Sequence, residues 1–87
     1  MAQVWIPALL RDLADGQQTT FISGETVAQL IENLDSRFPG IKPRLCEGER
    51  LRPGFSVLVD GEVSPLGLRQ RLEENSEVHF LPAISGG

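Results

Sequence analysis

Apolar residues recur along this chain in two periods, and the change from one to the other marks out its elements. Val27, Leu30, Ile31, Leu34 and Phe38 fall at i, i+3, i+4, i+7 and i+11, one stripe of a 3.6-residue helix. Thr26 with Gln29 three residues later has capping-box spacing, and Pro39-Gly40 supplies a stop. The pattern predicts a helix over Val27–Phe38 that turns one face to the core.

The remaining apolar segments are short and strand-like. Gln3–Leu10 reads as a first strand, with Pro7 marking an edge position or a bulge. Arg11–Gly16 reads as a turn through Asp15-Gly16, and Gln17–Ile22 as the second strand of a hairpin. Ile41–Pro53 has no clean period and reads as a connector with one short helical turn. Phe55–Val59 is a third strand, and Asp60-Gly61 predicts a tight hairpin into Glu62-Val63. Leu66–Leu72 fits another helical turn, Asn75-Ser76 opens the last strand over Glu77–Leu81, and Pro82 ends regular pairing.

The order ββαββ predicts an α+β domain in two layers, a helix across one face of a mixed sheet. It is the order of the β-grasp, or ubiquitin-like, fold, in which the first and last strands lie side by side in the centre. Residues 1–82 form that domain, and residues 83–87 follow as a tail.

Composition narrows the chemistry. The 87 residues suit one small domain, of a size that buries about 60% of the surface its unfolded chain exposes. A 40% apolar and 23% charged composition is that of a globular protein. No apolar stretch reaches the roughly 18 residues of a membrane span, and no charged leader precedes an apolar segment, so a cytoplasmic protein with no membrane role is expected. A single cysteine, Cys46, and a single histidine, His79, argue against a bound metal or iron–sulfur cluster. The net charge of −4, with one lysine at Lys42, argues against nucleic acid and favours the basic face of a protein partner.

The chain ends in Ile84-Ser85-Gly86-Gly87 behind the last strand. Two glycines without Cβ atoms make a thin, flexible tail able to enter a narrow cleft, so the terminal carboxylate of Gly87 is the candidate working group.

With Thr26-Val27 at the helix start, Phe38-Pro39-Gly40 at its end, Val59-Asp60-Gly61 in the hairpin and Phe80-Leu81-Pro82-Ala83-Ile84-Ser85-Gly86-Gly87 at the close, the chain resembles the ubiquitin-like sulfur carriers of the ThiS/MoaD family over essentially its whole length. The terminal Leu-Pro-Ala-x-x-Gly-Gly and Ile6-Pro7-Ala8-Leu9-Leu10 look most like the CysO-type and molybdopterin-type branches. The resemblance implies that an E1-like enzyme, using ATP and magnesium, adenylates the carboxylate of Gly87. Sulfur then converts it to a thiocarboxylate, which a synthase consumes: a cysteine synthase or the large subunit of molybdopterin synthase. Pro82, Ile84, Ser85 and Gly86 would be the residues by which the tail is recognised. The carrier would bind no cofactor, supply no catalytic residue and be monomeric alone.

Strand alternation adds a docking surface. If Val78 and Phe80 meet the helix, His79 and Leu81 face outward, and Leu58 in the neighbouring strand joins them in an aliphatic–His–aliphatic patch like that of ubiquitin. Cys46 reads as a small buried hydrophobe, Glu73-Glu74 and Glu47/Glu49 as solvated surface charges, and Trp5 as a packed or sheet-face residue. Three roles stay open at this point: a sulfur carrier, a covalent modifier joined through Gly87 to lysines, and a non-covalent adaptor using only its sheet.

Overall fold

The computed structural model describes residues 1–82. Strand β1 (Ala2–Trp5) is followed by a 3-10 helix (Ala8–Ala14), β2 (Thr19–Ile22), helix α1 (Val27–Arg37) and a one-turn helix α2 (Lys42–Leu45). Then come β3 (Cys46–Glu47), β4 (Arg50–Leu51), β5 (Phe55–Val59), β6 (Glu62–Val63), a 3-10 turn (Gly67–Arg69) and β7 (Glu77–Pro82). The main sheet has the order β2-β1-β7-β5-β6, with β1 and β7 parallel and the other neighbours antiparallel. This is the expected β-grasp, with the first and last strands central.

Helix α1 forms where its apolar spacing predicts. Thr26 Oγ1 accepts the N–H of Gln29 at 3.1 Å, which satisfies one of the free donors of the first turn, and Gln29 Oε1 accepts the N–H of Glu25 at 2.7 Å, which ties the residue before the cap to that turn. Val27, Leu30, Ile31 and Leu34 are buried in one core with Val4, Val57, Val78 and Phe80 of the sheet and with Ile6 just beyond β1, each burial contributing about 1.5–3 kcal/mol. Gly24 lets the end of β2 approach the helix: a Cβ there would lie 2.7 Å from the backbone nitrogen of Leu30.

Three expectations are corrected. The first strand ends at Trp5 instead of running to Leu10, and Pro7 starts a 3-10 helix in which Leu10 N–H donates to Pro7 C=O at 2.8 Å. The unbroken apolar run through Leu10 hid the helical spacing of Leu10, Leu13 and Ala14, which pack inward. Asp15 (φ 54) and Gly16 (φ 77) still make the turn, but at the end of that helix. In the connector, Ile41, Leu45 and Cys46 are buried, and the chain from Cys46 to Leu51 forms a second hairpin, β3–β4. Pairing of β7 also continues through Pro82, opposite Phe55. Asp60 N–H donates to Glu77 C=O, so the hydrogen-bonded pairs alternate along 60/77, 58/79 and 56/81. Pro82 falls between such pairs, where its missing N–H costs β5 nothing.

The Asp60-Gly61 turn has positive φ at both residues (52° and 87°) and joins β5 to β6 in the expected two-residue loop. Asp60 also pins the start of β7: Oδ1 accepts Glu77 N–H at 2.8 Å and Oδ2 accepts the hydroxyl of buried Ser76 at 3.1 Å. Asp60→Ala removes both acceptors and strains the turn, and is expected to cost about 1–3 kcal/mol in urea unfolding. Asp60→Asn, which tolerates the left-handed backbone and keeps one acceptor, is expected to cost less than half as much.

Candidate functional site

The open face of the sheet carries a row of outward side chains set by strand register. Trp5 pairs with Thr19 and with His79, His79 with Leu58, and Leu58 with Val63. The row therefore crosses all five strands. Val4, Val78, Phe80 and Val57 point the other way and are buried, so His79, Leu81 and Leu58 look outward as expected. Leu81 is 43% and Val63 64% exposed, and Leu81 pairs with Ser56 on the same face.

Two members of the patch were not expected in it: Trp5, read only as a packed or sheet-face residue, and Val63. Trp5 stacks flat on His79, with ring centroids 4.2 Å apart and planes 12° apart, a contact worth about 0.5–1.5 kcal/mol beyond the area it covers. Val63 lies at the far end of the row. The signal for Val63 was present in the Asp60-Gly61 turn, which sets Val63 opposite Leu58. Trp5 becomes a neighbour of His79 only through a parallel pairing across more than seventy residues of sequence.

The other chemistry-bearing residues sit on the helix side. A cleft of about 530 Å³ between α1, β3 and the 3-10 turn is lined by Ile31, Glu32, Lys42, Cys46, Leu68 and Arg69 among others. Lys42 is paired with Glu32, which holds its ammonium above the ordinary lysine range. Cys46 is a buried free thiol, and burial pushes its pKa up, opposed by nearby Lys42. The sheet separates it from His79. Glu47, Glu49, Glu73 and Glu74 are exposed, and among the described residues no three His, Cys, Asp or Glu side chains converge on a metal site. The described residues offer a binding surface, with no nucleophile set beside a base.

Strand β7 runs through the centre of the sheet and ends at Pro82, the one residue of the tail-recognition set in the described part. Ile84, Ser85, Gly86 and the Gly87 carboxylate lie outside the described residues. The model of the ThiS family matches residues 4–87. The chain belongs to the ThiS family. A relative in this family, the sulfur carrier protein CysO of Mycobacterium tuberculosis, is 30% identical over 97% of this chain and 96% of its own. The crystal structure of M. tuberculosis CysO matches with a TM-score of 0.89 at 28% identity, covering 97% of this chain and 100% of that one. A chain of the Amycolatopsis orientalis BexX/CysO complex matches with a TM-score of 0.92 at 32% identity over the whole of both chains. The small archaeal modifier protein 1 of Methanosarcina acetivorans matches at 0.81 and 27% identity, over 99% and 95%. This member of the ThiS family has no helix, among its described residues, long and apolar enough to cross a membrane.

Because its thiolate is disfavoured, Cys46 is expected to react with iodoacetamide at pH 8 at least about tenfold more slowly than a free cysteine. Mass-detected alkylation at the rate of the free amino acid would contradict its burial.

Proposed function

We propose that this protein is a sulfur carrier that holds sulfur as a thiocarboxylate on Gly87 and hands it to a biosynthetic enzyme. One observation carries the reading: the ThiS-family match runs through Gly86-Gly87, five residues beyond the end of a strand held on both sides in the sheet centre. The kinship with a protein named as a sulfur carrier supports it.

The chemistry follows from what a carboxylate lacks. Its oxygen is a poor leaving group, so Gly87 needs activation, and attack on the α-phosphate of ATP gives an acyl adenylate with release of pyrophosphate. A sulfur nucleophile then displaces AMP and leaves the thiocarboxylate, whose sulfur is a good nucleophile at neutral pH. An E1-like partner holds the ATP and magnesium and supplies catalysis; this chain is a co-substrate and carrier. Side chains at positions 86 or 87 would crowd the enclosing cleft. The CysO relatives favour a cysteine synthase as the acceptor over the large molybdopterin synthase subunit. They favour the carrier over the covalent modifier as well, since the archaeal modifier is matched less closely than the CysO chains.

The patch of Trp5, His79, Leu58, Val63 and Leu81 is the docking face for the activating enzyme. It is largely apolar, spans the inner strands β1, β7 and β5 with Val63 at the β6 edge, and includes His79 and Leu81 on the strand that leads into the tail. Leu58→Asp and Leu81→Asp are expected to weaken binding to that enzyme by about tenfold or more while leaving the circular dichroism spectrum unchanged. Unchanged adenylation kinetics in both variants would refute the assignment of the face.

Intact mass spectrometry of the protein from its own host tests the carrier itself. The expected species has one oxygen replaced by sulfur, lost on deletion of Gly87. Branched peptides ending in Gly86-Gly87 on target lysines, with no sulfur-containing form, would instead establish a modifier.

A further inference from the structure

Strand β2 (Thr19–Ile22) is an unguarded sheet edge. The direction of its backbone groups follows from two hydrogen bonds of the neighbouring chain. Ile6 N–H donates to Gln18 C=O at 2.8 Å, on the line of the β1–β2 register, whereas Gln3 N–H donates the other way, to Ser76 C=O at 2.9 Å. The even-numbered residues of β1 therefore bond toward β2. With Ala2 opposite Ile22 and Val4 opposite Thr20, it is Thr20 and Ile22 that turn their N–H and C=O groups to β1. Thr19 and Phe21 turn theirs outward, to an edge with no strand beside it among the described residues.

Protein edges are usually blunted by charge, proline, a bulge or extreme shortness. Gln17 to Ser23 contains no charged residue and no proline, and the β1–β2 pairing runs without a bulge. The opposite edge, β6, is two residues long and carries Glu62. Phe21 is 57% exposed on the open face.

We infer that β2 pairs antiparallel with β2 of a second copy of this chain, about a two-fold axis through Thr20. In this register Thr19 of one copy lies opposite Phe21 of the other, and both are residues with outward N–H and C=O groups. Two such pairs close four main-chain hydrogen bonds within the strand. Centring the pair on Phe21 instead would call on Ser23 C=O, which already accepts from Asn33 Nδ2 at 2.8 Å. The uncharged strand sets no like charges opposite each other. On the open face Phe21 comes beside Thr19 of the partner subunit and so extends the row that continues through Trp5, His79, Leu58 and Val63. The strand is thus its own complement.

So short a contact buries well under the roughly 1,200 Å² of lasting complexes, which makes the pairing weak. The chain is a monomer when dilute and pairs when concentrated. The inference rests on the fold alone and stands or falls separately from the carrier reading.

Sedimentation equilibrium of the full chain, with amide spectra by NMR, tests it. From about 20 µM to about 1 mM the weight-average mass is expected to rise by at least a third toward that of a dimer, a concentration range suited to so small an interface. The amides of Thr19 and Phe21 are expected to shift over the same range. Phe21→Lys should abolish the rise. Thr19→Pro should do so as well, since it removes an outward donor and spares the ladder to β1; circular dichroism matching the parent shows that both variants fold. A chain that stays monomeric at about 1 mM overturns the proposal. So does association that survives Phe21→Lys and Thr19→Pro but is lost in Leu81→Asp, which would place the contact on the sheet face.

Discussion

The parallel pairing of β1 with β7 is the contact on which the rest of the molecule depends. It joins the two ends of the described chain, Gln3 to Glu77 and Trp5 to His79, and sets Val4 and Val78 fully buried beneath α1. A parallel pair cannot be made by a local turn, so everything between the two strands serves as its crossover. The helix covers one face and β2 and β5 flank the pair. β7, bonded to β1 on one side and to β5 on the other, is the central strand of the sheet and the last element before residues 83–87.

The same pairing builds the open-face patch. Register brings Trp5 onto His79, the β5–β7 ladder adds Leu58, and the Asp60-Gly61 hairpin adds Val63. Asp60 couples these features, since its backbone makes the hairpin turn while its carboxylate holds Ser76 and Glu77 at the start of β7. A change at the turn would therefore disturb both the far end of the patch and the footing of the strand that leads to the tail. The chemistry that the carrier undergoes asks little else of the fold. The ionisable groups of the helix side, Lys42 with Glu32 and the buried Cys46, are satisfied or suppressed where they sit.

Local sequence determined the features whose causes are local. The stripe from Val27 to Phe38 and the Thr26 cap specify α1; Asp60-Gly61 specifies a two-residue hairpin; the alternation Val78-His79-Phe80-Leu81 specifies which side of β7 faces the core. Each of these follows from the period of one segment or the φ preference of one turn, and the Gly86-Gly87 ending pointed to the candidate reactive group without any fold at all. Tertiary structure decided the rest. Whether Ile6–Leu10 extends a strand or begins a 3-10 helix depended on where β2 ceases to offer partners, and the β3–β4 hairpin forms because Ile41, Leu45 and Cys46 find room in the core. The placing of Trp5 against His79, and the freeing of the Thr19–Phe21 edge, are set by register between distant strands. A residue's own sequence neighbours record which face it turns inward, but only the assembled sheet decides what lies beside it.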